Sequence, residues 1–277
     1  MKPILTLVAP ILLVSGSVHG ALLIEETFDY TASNSLAGNS GGTGFTGSWA
    51  NGGTDRGNPG VVSPGLDWGD LDVSGNTAGG GGWSAGFRDL GSTTALESAG
   101  LMDNGSTLWF SVIFDLEGQN VANADLNFAL GAGVFGGTGG RDFGNRQNLG
   151  GGEGIGISHN RGRIVGAYWQ DTNSNPTFAE RTTRDTSLSI NGTAGTSRAL
   201  IAGKIEWGAS NELLTLYAPD ASLNLGAPIL DSWSIPNLDQ AQFDRLALQF
   251  KDRPQMDEIR FGATSADVLP SSVVVIP

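Results

Sequence analysis

Met256-Asp257-Glu258-Ile259-Arg260-Phe261-Gly262, near the end of the 277-residue chain, is the stretch from which the fold is read. Apolar side chains stand at Met256, Ile259 and Phe261, and charges at Asp257, Glu258 and Arg260. From Glu258 onward the two kinds alternate, as along a β-strand with one dry and one wet face. A second run, Phe243 to Phe250, precedes it across the polar turn Lys251-Asp252-Arg253-Pro254. This spacing predicts a last strand that closes a β-sandwich against a first strand within Leu22–Tyr30.

Working outward, Thr107–Leu116 is the most apolar internal run, and a run apolar on both faces predicts a central strand of a stacked sheet. Gly154–Ser158 and Arg163–Gln170 are expected to form one hairpin, and Arg198–Trp207 with Leu213–Tyr217 another, each across a loop of turn residues. Further strands are expected at Trp83–Leu90 and Asp125–Phe135, with a short one around Leu71 and Val73. Helical spacing is nearly absent; Leu96–Met102 and Asp239–Phe243 each have room for one turn. The 43 glycines fall between short apolar runs with no Gly-X-Y period, which excludes collagen and marks tight turns and bulges. About twelve or more short strands with turns between them make the chain all-β, a sandwich or barrel.

Residues 1–20 read as a secretory signal peptide: Met1-Lys2, an apolar stretch from Ile4 to Val14, then a small-residue exit before Ala21. The expected organisation is 1–20 signal peptide, 21–270 one sandwich domain and 271–277 a short tail, secreted or held at the cell envelope. Cysteine is absent, which excludes a disulfide framework and thiolate-bound zinc. A net charge of −13 without any basic cluster argues against nucleic-acid and anionic-membrane partners. It suits cations or neutral substrates such as sugars.

Several pieces, in this order and spacing, carry a resemblance. They are Glu26–Tyr30, Gly42–Trp49, Gly65–Asn76, Thr107–Ser111, Gly203–Gly208 with Leu214–Tyr217, and Asp257–Thr264 through Asp267-Val268. Together they resemble the concanavalin A-like (LamG-type, lectin/glucanase) jelly-roll proteins that bacteria export, many of which end in a PEP-CTERM sorting tail. The resemblance implies a jelly-roll β-sandwich of two antiparallel sheets. It leaves activity open, because the fold hosts lectins, glucanases, lyases and adhesion modules. The sequence departs from the pattern after Leu269-Pro270, where Ser271–Pro277 holds no Pro-Glu-Pro motif and no basic terminus.

In the glucanases that this chain resembles, three carboxylates alternate along one strand so that all enter one cleft. No such run is found: Glu25-Glu26 and Asp257-Glu258 are adjacent pairs, and Asp70-Leu71-Asp72 is followed by no third acid. His159 reads as a polar turn residue, since Gly156–Asn160 lacks the closing glycine of a nucleophile elbow. Gly131–Gly136 mimics a dinucleotide fingerprint without the helix that would make it one. The resemblance also implies a structural calcium at an aspartate opening the last strand. Asp257 matches that position, with Glu26 or carbonyls near Gly47 as companions; Asp67, Asp70 and Asp72 are a weaker alternative. Trp109 and Trp207 are expected in the core. Trp68, Trp83 and Trp169 are expected at a glycan groove, where an indole stacks on a sugar ring. The expected function is a secreted, non-catalytic module binding polysaccharide or surface glycan. A divergent glycoside hydrolase or polysaccharide lyase is the first alternative, and a structural envelope protein without ligand the second.

Overall fold

A computed structural model describes residues 22–52, 58–80, 82, 84–91, 94–116, 118, 124–132, 153–160, 162–172, 175–193 and 195–272. Within them the chain forms two antiparallel sheets facing each other across one apolar core. The strands are β1 (Leu22–Glu26), β2 (Ala50–Asn51), β3 (Gly60–Val62), β4 (Thr77–Gly79), β5 (Ser84–Asp89), β6 (Thr107–Asp115), β7 (Asp125–Ala132) and β8 (Gly154–Asn160). They continue with β9 (Arg163–Thr172), β10 (Asn175–Ser189), β11 (Arg198–Glu206), β12 (Asn211–Tyr217), β13 (Leu230–Pro236), β14 (Phe243–Lys251) and β15 (Gln255–Gly262).

One sheet runs β13-β12-β11-β6-β15-β4-β3, with β1 also on β15; the other runs β10-β9-β8-β7-β14-β5-β2. The last strand is the pivot. One edge of β15 pairs with β6, while its other edge is shared by β4 at Gln255 and Met256 and by β1 from Ile259 to Gly262. In the gap between those partners lies a bulge, where Glu258 takes the left-handed φ of 52°. Asp252 and Arg253, at φ 63° and 66°, turn the chain from β14 in one sheet to β15 in the other. First strand therefore meets last, and consecutive runs are dealt to opposite sheets, as in a jelly roll.

Both hairpins read from the sequence form, as β8–β9 and β11–β12. The one-turn helix α1 (Ala95–Ser98) and a 3-10 turn at Gln240–Gln242 stand where helical spacing was expected. Leu71 makes only an isolated bridge to Ser271, and the long edge strand β10 was not foreseen. In the core, Phe110, Phe128 and Phe261 meet with ring centroids 5.5 to 6.1 Å apart.

The expected wet face of the last strand is dry. Asp257 and Glu258 are fully buried and Arg260 nearly so, because the 65–76 loop folds over them and meets their polar atoms. Leu66 N donates to Asp257 Oδ2 at 2.7 Å, Ser74 N to Glu258 Oε1 at 2.7 Å, and Arg260 to the Asp72 carbonyl at 2.6 Å. Arg260 also holds Glu258 and Glu25.

Candidate functional site

On β6, even-numbered residues point inward, and Trp109, Ser111, Ile113 and Asp115 point out of the sandwich. On β11 the outward set is Arg198, Leu200, Ala202, Lys204 and Glu206, and on β12 it is Leu213, Thr215 and Tyr217. Trp109 faces Lys204, and Tyr217 faces Ala202 one row along. The small side chain of Ala202 leaves the two rings free to meet diagonally across β11. Their centroids are 5.8 Å apart and their planes 22° from parallel. Both rings are only half-buried.

Trp68 packs on the same outer apolar layer of Leu66, Leu71, Ile113, Leu200, Ala202 and Val268, and it too is half-buried. Two loops frame the patch. Asp70 N donates to the Ala221 carbonyl at 2.7 Å, and Trp68 Nε1 to the Asp220 carbonyl at 3.2 Å. The Asp220 carboxylate accepts from Ser222 N, Asn224 N and the Asn224 side-chain amide, which shapes the second loop. Those bonds, the Asn224 side chain first, hold Asp220 below the usual carboxylate range. Beside the rings, Lys204 pairs with Glu206 at 2.9 Å, and Thr215 Oγ1 has no protein partner among the described residues. The result is a ring platform on a sheet face, bordered by polar groups.

Trp109 was expected in the core and lies outside it, because the apolar run on β6 covers both an inner and an outer layer. Trp169, expected at a groove, is 1% exposed. It faces outward on the other sheet, between Gly154 and Arg181, within a layer of Ala129, Ala167 and Ala247. On that face Arg181 bonds Asn127 Oδ1 and Ser158 Oγ, and Asn127 bonds Gln249. Ser158, Asn127 and Gln249 are all buried. Trp68 and Trp169 therefore lie on opposite faces of the sandwich, and Trp83 lies outside the described residues. Trp49 and Trp207 are core residues.

Glu26 and Asp257 do not come together either. Glu26 pairs with Ile259 and points inward, whereas Asp257 pairs with Ile113 and points outward. Glu26 Oε1 accepts from Phe28 N at 2.9 Å, and Oε2 from Tyr30 Oη, Trp49 Nε1 and Arg88 at 2.7 to 2.8 Å. Four donors, one a guanidinium, fill the places a cation would need, and the companion role foreseen for Glu26 does not fit calcium. Burial first, then the Glu26 charge, raises the Tyr30 hydroxyl above its ordinary pKa. Each oxygen of Asp257 accepts a backbone N–H, from Leu66 and Glu258. Asp67 is tied to Arg198, and among the described residues no three acidic or histidine side chains gather as metal ligands.

His159 is a buried strand residue and not an exposed turn residue; its Nε2 accepts from Gly162 N at 2.9 Å, and burial pushes its pKa down to about 4. Ser158 faces the other way, toward Arg181. The Gly131–Gly136 string begins as the end of β7, and its remainder lies outside the described residues.

No protein-family model matches this chain, and no curated protein matches it. Among solved structures it is similar to domain 4 of AbnA, a GH43 extracellular arabinanase from Geobacillus stearothermophilus, in complex with arabinotriose. The identity is 14% over 90% of this chain and 97% of the other, with a TM-score of 0.43. It is also similar to a beta-1,3-glucanase from Mycobacterium marinum, at 13% identity over 88% and 99%, TM-score 0.40. Sheep galectin-11 in complex with glycerol matches at 11% over 56% and 89%, TM-score 0.33. Likenesses at this level carry no argument about site or ligand; the fold rests on the strand order above. No helix among the described residues is long and apolar enough to cross a membrane.

Proposed function

We propose that this chain is an exported, non-catalytic jelly-roll module that binds carbohydrate, taking sugar rings on the outer face of its eight-stranded sheet. One observation carries the reading: the half-buried, nearly parallel rings of Trp109 and Tyr217, with Trp68 on the same layer. An aromatic face offers apolar contact to the C–H side of a sugar ring, and nearby polar groups meet its hydroxyls. Asn224 and the Lys204–Glu206 pair stand beside these rings as such groups. The absence of catalysis is supported by how the acids are engaged. Glu26 is bound to Arg88, and Asp257 and Glu258 are sealed beneath a loop, whereas glycoside hydrolysis takes two carboxylates facing one cleft. Export rests on the sequence of residues 1–20.

The test is tryptophan fluorescence and affinity electrophoresis against a panel of neutral polysaccharides. Trp109→Ala and Tyr217→Ala are expected to weaken binding about tenfold each, and Tyr217→Phe to keep most of it. Reducing sugar released from any member of the panel by the wild-type chain overturns the non-catalytic reading. A panel blank in both calcium and chelator overturns neutral-glycan binding on the ring platform.

A further inference from the structure

At the β3–β4 edge of the eight-stranded sheet, away from the ring platform, lies an open groove of about 940 Å³. Its polar lining includes Ser33, Asn34, Asn58, Ser63, Arg253 and Gln255, and no aromatic residue lines it among the described residues. A smaller cavity of about 260 Å³ adjoins it, sharing Val62, Ser63, Arg253 and Gln255 and reaching Asp115 and Arg198. The larger volume falls in the range of about 300–1,000 Å³ typical of ligand sites.

The charges here are unequal. Arg198 is neutralised, its Nε and NH2 on Asp115 Oδ2 at 2.9 and 2.7 Å, with Asp67 on its remaining nitrogen. Arg253 is exposed and has no hydrogen-bond or ion-pair partner among the described residues. Among the described residues Arg184 is the other arginine in that condition, and it lines a cavity with Asp185 and Asp231. The Arg253 groove thus offers an unengaged guanidinium, with Asp252 beside it in the chain, on a protein of net charge −13. Arg253 is also held at a left-handed φ of 66°, a conformation costly for a side chain this large. Glycine would suit that backbone better, so the turn itself does not call for arginine.

We propose that this groove binds an acidic saccharide, with a sugar carboxylate on the Arg253 guanidinium and sugar hydroxyls on Asn34, Asn58, Ser63 and Gln255. A guanidinium presents paired donors that match a carboxylate, and the amides and hydroxyls both donate and accept. The choice of a saccharide rests on the carbohydrate reading above; the choice of an anion rests on Arg253 alone.

Calorimetric titration of the full chain in EDTA tests it, with oligogalacturonate, oligoglucuronate and alginate oligosaccharides as probes and methyl-esterified oligogalacturonate as the uncharged control. At least one acidic probe is expected to bind, and the acid form of galacturonate to bind about tenfold or more tighter than its ester, the scale of one charged hydrogen bond. Arg253→Gly is expected to lose that preference while melting no lower than wild type, which separates a ligand role from a structural one. Trp109→Ala is expected to bind the acidic probe unchanged. Equal binding of acid and ester, wild-type affinity in Arg253→Gly, or silence from all three acidic probes overturns the proposal. Competition by acetate at the concentrations effective for the sugar also overturns it, since the groove would then recognise the anion without the saccharide. Loss of acidic-probe binding in Trp109→Ala would place the anion on the ring platform and refute a separate groove. Neutral-glycan binding lost in Trp109→Ala but kept in Arg253→Gly bears on the first reading alone.

Discussion

Asp257 and Glu258 lie side by side beneath the 65–76 loop, and burial raises their pKa to about 9 and about 7. Arg260 opposes the rise, while Glu25 and Asp72 add to that of Glu258. A carboxyl that holds its proton more tightly when folded gives stability that is complete below its unfolded pKa. That stability is lost as pH climbs through the folded value. These two groups should therefore make stability fall from about pH 4 toward about pH 9, each by up to about 1.4 kcal/mol per pH unit within its window. Buried His159 contributes in the opposite sense between about pH 4 and about pH 6.5. Urea unfolding at pH 5, 7 and 9 checks the sign. Asp257→Asn is expected to flatten the alkaline part, and a wild-type profile rising with pH would refute the linkage. Glu26 and Arg88 present a different problem, two buried charges 2.7 Å apart. Glu26→Gln alone is expected to cost about 3–5 kcal/mol by stranding Arg88, and Glu26→Gln with Arg88→Met to recover much of it. An additive double variant would show that the pair acts independently of each other.

At the scale of elements, close approach decides what a strand tolerates. Gly203 on β11 pairs with Phe110 on β6, whose ring covers it so closely that an added Cβ would fall 2.1 Å from the ring. The ring has no room to move, being packed against Phe128 and Phe261. Gly203→Ala is therefore expected to destabilise by about 1–3 kcal/mol, as overpacked cores do. Thermal unfolding reads this, and an unchanged melting temperature would mean that the ring does have space. The glycine stands in the sequence within the strand expected at Arg198–Trp207. The ring above it was not legible there, because the register joining position 203 to position 110 is set by pairing and not by local pattern.

For the whole molecule the decisive quantity is charge. A net charge of −13 on a 277-residue chain repels itself in the compact state. Raising sodium chloride from about 0.01 M to about 0.3 M, which shortens the Debye length severalfold, should raise the melting temperature. A fall would mean that the buried ion pairs, not the net field, govern the response. Binding of neutral glycan to the ring platform should change little over the same range, because ring contacts are not charge contacts.

The all-β class, the sandwich closed by first strand on last, and both hairpins were legible because alternation and turn residues act over a few neighbours. Which tryptophan would be exposed was not legible. Trp109 sits in the more apolar strand and Trp169 in the more polar one, yet the covering of each sheet face left the first ring half-open and sealed the second. The same holds for the acids. Glu258 and Arg260 alternate with Ile259 and Phe261 like a wet face, yet a loop almost two hundred positions away in sequence buries them together with Asp257 (Leu66 N to Asp257 spans 191). Local pattern fixes which way a side chain points from its strand. What lies above that face is decided by long-range closure, and only the tertiary structure contains it.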